Sequence, residues 1–228
     1  MRTQTNAQGR RLKILCLPGW RTNSRILRDQ LLLSGLTHLL ADIAELKCLD
    51  PCQPAQGPTN PIVKAAWPDE TDFYQWWYTN ENTMEYDAGE AAVDYISKKI
   101  REEGPVDGLL GFSQGGALAC MCAALQQKAD DERLKNALKF VITIASFSPR
   151  SPSWSHIIEK EQPLTLPSLH IAGKKDELHP ASVQMAQHVF QGGVLIEHDG
   201  GHTIPKLDAT KGQQLRHFLM AHMANSLL

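Results

Sequence analysis

A chain of 228 residues, 42% hydrophobic and 21% charged, is sized for one compact globular domain with a sizeable core. Its formal net charge of -2 argues against nucleic acid or an anionic membrane as a partner. No run approaches the ~20 apolar residues of a membrane-spanning helix, so no integral membrane association is expected.

The chain starts on a polar stretch, MRTQTNAQGRR, and then LKILCL. That apolar run is too short for the core of a signal peptide, so the expected location is cytoplasmic. Residues 12–17 read as a first strand, and CLPGWRTNS as the turn after it. A helix is predicted over 24–40, with Leu27, Leu31 and Leu32 towards one side, and a strand over 44–49. Residues 50–86 interrupt the pattern. They are rich in proline and glycine early, and then hold Trp67, Trp76, Trp77 and four other aromatics. A long excursion of this kind in a compact domain is usually functional.

The spacing of Val93, Ile96 and Ile100 predicts a helix over 88–103, opened by Asp87 with Glu90 three residues on, as in a capping box. A strand at 106–111 precedes a helix at 114–128, in which Leu118, Met121, Cys122 and Leu125 form a stripe. A strand at 140–145 leads into a second excursion at 146–166. Strands at 168–172 and 194–198 and helices at 181–190 and 208–225 complete the chain. The strands are short and continuously apolar, as in parallel sheets buried on both faces. Strand and helix alternate six times. The expectation is an α/β fold of about six mainly parallel strands with helices on both faces, forming one domain over 1–228 with no large separate cap. Both excursions leave the carboxyl ends of strands, where such sheets place ligands.

The five cysteines, Cys16, Cys48, Cys52, Cys120 and Cys122, are odd in number and include no CxxC pair. Cys16, Cys48, Cys120 and Cys122 lie in apolar runs and read as small buried apolar residues in a reducing compartment, and no metal site is expected from the five.

The stretch LLGFSQGGALA carries the chemistry. Gly-x-Ser-x-Gly alone is weak, but here a strand precedes it and a small-residue helix follows. That unit is a nucleophile elbow, which lifts the Ser113 hydroxyl above a sheet. A serine needs a base, and the base needs an orienting acid, in the order Ser, Asp or Glu, His for this arrangement. SLHIAGKKDEL supplies Asp176 after one strand, and VLIEHDGGHTIP supplies His202 after the next. Asp199 lies too close to His202 along the chain to face it from an independent loop. Glu177 and His179 flank the Asp176 turn, and His198 reads as structural. The oxyanion hole is assigned to the backbone N–H of Gln114 and that of Trp20, with Arg21 as the neighbouring option. Arg21, Trp67, Trp76, Trp77, Phe147 and Trp154 are the substrate-binding candidates, the aromatic ones as an apolar acyl wall of a partly open site.

The chain resembles the family serine hydrolase (FSH) group of small α/β-hydrolases. The resemblance rests on ILCLPGWRTNS, the tryptophan pair at 76–77, GPVDGLLGFSQGGALA, SFSPRSP, PSLHIAGKKDELHP and EHDGGHTIP. It implies the α/β-hydrolase fold, a triad of Ser113, Asp176 and His202, and esterase or thioesterase activity. Two departures stand out: Phe147 where many relatives have glycine, expected to narrow the acyl pocket, and Pro18 where relatives often have His or Ala. The expected function is hydrolysis of carboxylic esters with a medium or long apolar acyl chain, through an acyl-enzyme and without a cofactor. The alternatives are an acyl thioesterase acting on acyl-protein or acyl-carrier substrates, and a non-catalytic small-molecule receptor on the same fold. The triad does not separate the first two, and nothing in the sequence decides the oligomeric state.

Overall fold

The computed structural model describes residues 10–223. Strand β1 (Leu12–Leu17) is followed by helices α1 (Ser24–Leu33) and α2 (Leu36–Leu40) and by β2 (Ala44–Cys48). The first excursion holds β3 (Gln53–Pro54), α3 (Pro61–Ala66), β4 (Tyr74–Gln75), β5 (Tyr78–Thr79) and β6 (Tyr86–Asp87). Then come α4 (Gly89–Glu103), β7 (Gly108–Phe112), α5 (Gln114–Gln127) and β8 (Phe140–Ile144). The rest is α6 (Pro152–Glu161), β9 (Ser168–Gly173), α7 (His179–Gln184), β10 (Val194–His198) and α8 (Ala209–Met223).

Six strands form one sheet in the order β10-β9-β8-β7-β1-β2, and every pairing within it is parallel. Side-chain alternation divides the core into two layers. Leu12, Ile14, Cys16, Leu110, Ile142 and Ile171 pack with α1, α2 and α8 on one face. Leu15, Leu17, Leu109 and Val141 pack with α4, α5 and α6 on the other. Each fully buried aliphatic side chain contributes about 2 kcal/mol. Helix α5 is buried on every side from Gln114 to Leu125, not along a stripe. A helix apolar on all sides belongs in the interior, and here α4 and α6 cover it.

Four local expectations change. The helix predicted over 24–40 breaks after Leu33, because Gly35 adopts φ 80 and Ser34 turns its hydroxyl back to the Leu31 carbonyl at 3.0 Å. Leu27 and Leu31 are buried, whereas Leu32 is exposed. The capping box at Asp87 does not form. Asp87 lies in β6, and Ala88 precedes the helix in a left-handed conformation with no side-chain cap. Helix α7 starts earlier than expected, at His179, and passes into a π turn at Met185–Val189. Helix α6 lies inside the excursion at 146–166. Ser151 caps it by accepting from the Trp154 N–H at 3.3 Å, with Pro152 in the first turn. Residues 224–225 of the last predicted helix lie outside the described residues.

His170, in β9, is fully buried between two hydroxyls. Its Nδ1 lies 2.8 Å from Thr143 Oγ1 and its Nε2 lies 2.9 Å from Ser168 Oγ. Burial lowers its pKa to about 3. The unfolded chain binds a proton near pH 6.5 and the folded chain does not, so stability is complete above that pH and falls on acidification towards pH 3. Burial shifts His198 and His222 in the same direction. In urea unfolding between pH 7 and 4, His170→Gln is expected to flatten the pH dependence by up to about 1.4 kcal/mol per pH unit. An unchanged slope would rule out this linkage.

Candidate active site

Ser113 sits between β7 and α5 with φ 53 and ψ -117, a conformation that costs a residue with a Cβ about 1–3 kcal/mol. The surroundings hold it there. Its N–H donates to the Ile144 carbonyl at 2.9 Å, and its carbonyl accepts from the Ser146 hydroxyl at 2.9 Å. The tight return of the chain needs glycine. A Cβ on Gly115 would collide with the Leu17 carbonyl, and one on Gly111 with the backbone of Gly115.

Asp176 follows β9 and His202 follows β10, and the two loops are stitched together. Lys174 N–H donates to His198 O at 2.8 Å, and Lys175 N–H donates to Gly200 O at 3.0 Å. His202 Nδ1 lies 2.8 Å from Asp176 Oδ2, and His202 Nε2 lies 3.1 Å from Ser113 Oγ. Asp176 is buried, and its other oxygen accepts the Leu178 N–H at 2.9 Å. A carboxylate accepts only, so the proton of a neutral His202 belongs on Nδ1. Nε2 then faces Ser113 with its lone pair.

The rival groups lie elsewhere. Asp199 is exposed and pairs with Lys174 at 3.1 Å. His179 pairs with Glu197 at 2.7 Å, and Glu177 is exposed. His198 is buried and its Nδ1 accepts the Gly200 N–H at 3.1 Å. Burial holds it below the usual imidazole range, against the pull of the Asp176 charge.

A cleft of about 510 Å³ opens over Ser113 and His202. Its walls come from Trp20 after β1, Leu33 of α1, Ile62, Val63 and Trp67 at α3, and Ile204 beyond the histidine. Among the substrate-binding candidates, Trp67 lines the cleft, and its indole N–H donates to Asp29 Oδ2 at 2.9 Å. The others do not. Trp76, Trp77 and Trp154 are 0–2% exposed and belong to the core layer around α5. Phe147 packs against that layer with Arg150 over its ring, so it does not narrow the cleft. The Arg21 side chain bridges loops. It donates to the Pro58 carbonyl at 2.8 Å and to Gln75 Oε1 at 3.4 Å, and it stacks on Trp20.

Apart from Trp67, the apolar wall at α3 has no counterpart among the residues expected from sequence. Asn60 followed by Pro61 is a helix-start signal, and Asn60 caps α3 by accepting the Ile62 N–H at 2.9 Å.

Gln114 opens α5 beside Ser113, and its side chain is buried. Its Oε1 accepts the Trp76 N–H at 3.1 Å, and its Nε2 donates to the Trp77 carbonyl at 3.3 Å. Cys16, Cys120 and Cys122 are buried, and burial pushes the Cys120 thiol up to about 12. Among the described residues no group of three His, Cys, Asp or Glu side chains is placed to hold a metal, and no helix is long and apolar enough to cross a membrane.

The six-stranded parallel sheet and the serine elbow at the end of β7 define an α/β-hydrolase. Its backbone is similar to that of Zea mays acyl-protein thioesterase 2, with a TM-score of 0.63 over 98% of this chain and 97% of that one, at 15% identity. The chain belongs to the serine hydrolase (FSH1) family, whose model matches residues 7–214. It is 34% identical to human esterase OVCA2 over 87% of this chain and 92% of that protein. It is 31% identical to esterase FPY3 of Fusarium mangiferae over 86% and 89%. Family and relatives make it a hydrolase.

Gly115→Ala forces the first turn of α5 off the Leu17 carbonyl. The expected loss is about 3 kcal/mol in urea unfolding, in the range of overpacked cores. A loss under about 0.5 kcal/mol would contradict the close approach.

Proposed function

We propose that the chain cleaves carboxylic esters with an apolar acyl chain by two-step acyl transfer. One observation carries this reading: the hydrogen-bonded run from Asp176 through His202 to Ser113 ends at an apolar-walled cleft. Ser113 Oγ attacks the ester carbonyl while His202 Nε2 takes its proton. Asp176 holds the imidazole in the correct tautomer and stabilises its cationic form. His202 then protonates the departing alcohol, and the acyl group remains on Ser113. Water, deprotonated by His202, attacks this acyl-enzyme, and His202 returns the proton to Ser113 Oγ as the acyl–oxygen bond breaks and the acid leaves. The N–H groups of Gln114 and Trp20 stabilise the oxyanion in both steps, each worth about 3 kcal/mol. The acyl chain lies between α1 and α3, against Leu33, Ile62, Val63 and Trp67.

Ser113→Ala is expected to abolish both ester turnover and labelling by a fluorophosphonate probe. Labelling equal to that of the unchanged protein would reject Ser113 as nucleophile. Asp176→Asn leaves His202 with the wrong tautomer and is expected to cost about 10³- to 10⁴-fold in kcat. Asp199→Asn should stay within about twofold, and a larger loss there would move the acid to Asp199.

Val63→Trp fills the groove. It is expected to lower kcat/KM for octanoyl relative to acetyl esters by about tenfold, the scale of a few lost methylene contacts. An unaltered chain-length profile would place the acyl chain elsewhere. Matched thioesters in the same panel identify the preferred leaving group.

A further inference from the structure

We propose that Thr22 is a positioning residue that aims the Trp20 N–H at the oxyanion. The proposal rests on the reaction described above. In a trans peptide the C=O and N–H lie in one rigid plane and point in opposite directions. Whatever holds the Gly19 carbonyl therefore also sets the direction of the Trp20 N–H. The Thr22 hydroxyl is that holder, donating to the Gly19 oxygen at 2.8 Å. The Trp20 N–H is thereby turned away from Thr22.

Thr22 is 5% exposed and pinned along its own backbone. Its N–H donates to the Tyr74 carbonyl at 3.1 Å, and its carbonyl accepts the Tyr74 N–H at 2.9 Å. The preceding plane is held from a different direction. The Trp76 indole N–H donates to the Pro18 carbonyl at 2.9 Å. Two successive peptides, Pro18–Gly19 and Gly19–Trp20, are thus each fixed by one side-chain donor. They border the nucleophile: a Cβ on Gly19 would lie 3.4 Å from the Ser113 Cβ.

The hydroxyl is needed because the plane begins at glycine. Glycine tolerates backbone conformations that other residues avoid, so Gly19 by itself resists a peptide flip weakly. A flipped plane presents a carbonyl oxygen where the oxyanion needs a donor. Attraction becomes repulsion at the step where charge develops. The segment from Tyr74 to Trp77 thereby gains a role that its composition does not suggest. It braces the oxyanion loop through Thr22 and Pro18, and it braces the elbow through Gln114.

The test compares Thr22→Val, which keeps the branched shape and deletes the donor, with Thr22→Ser, which keeps the donor. Steady-state hydrolysis of a p-nitrophenyl ester is measured alongside inhibition by an alkyl trifluoromethyl ketone, which forms a tetrahedral adduct with a serine nucleophile. For Thr22→Val, kcat is expected to fall at least about tenfold with KM within about twofold, and ketone affinity to fall in parallel. Thr22→Ser should stay within about threefold of the unchanged protein on both measures. Urea midpoints check that each variant folds. If Thr22→Val does not, Thr22→Ala is compared with Thr22→Ser in the same way. Unchanged kcat and ketone affinity in the variant lacking the donor would overturn the inference. So would a serine variant as impaired as the one without a hydroxyl. Ser113→Ala separates the two levels: if it retains turnover the reaction itself is misassigned, and if it is dead while Thr22→Val is normal, only the role of Thr22 fails.

Discussion

The site depends on how closely helix α5 approaches the sheet. At Gly115 the backbone lies against the Leu17 carbonyl with no room for a side chain, and Gly111 faces Gly115 in the same way. This contact brings the start of α5 against the end of β1, so that the loop after β1 and the loop after β7 share one space. Ser113 cannot hold its left-handed conformation alone. The strain is offset by the burial of α5 and by backbone bonds to β8. The Ser113 hydroxyl is therefore held by a core that has no part in the chemistry.

The rest of the site follows from strand order. Neighbouring strands lie about 4.8 Å apart, which puts β9 roughly 10 Å from β7. Asp176, just beyond β9, starts too far away to touch Ser113 directly. The loop after β10 folds back over β9, tied there by Lys174 and Lys175, and His202 spans the gap. Gly173 lets the loops close, since a Cβ there would meet the Gly201 carbonyl at 2.5 Å.

The aromatic excursion divides into two parts with different tasks. Trp67 and α3 stand at the cleft, while Trp76 and Trp77 turn inward, and Trp76 bonds the Pro18 carbonyl. Composition marked the segment as aromatic. It did not say which apolar side chains face a ligand and which face the core, because both surfaces attract the same residue types. The left-handed Ala88 is imposed by where the chain must go next, not by its own helical preference. The break after Leu33 is different, a local stop signal in which glycine at positive φ follows the helix end.

The sequence by itself determined the class of fold, the order of the strands along the chain, and the three side chains that converge. Short apolar runs, glycines flanking one serine, and an Asp and a His each placed just beyond a strand are local signals, written within a few residues of where they act. Tertiary structure alone decided the cleft walls and the bracing of the Gly19–Trp20 peptide by Thr22. Those depend on distances between segments tens of residues apart, which are set by sheet order and loop closure and leave no local pattern to read.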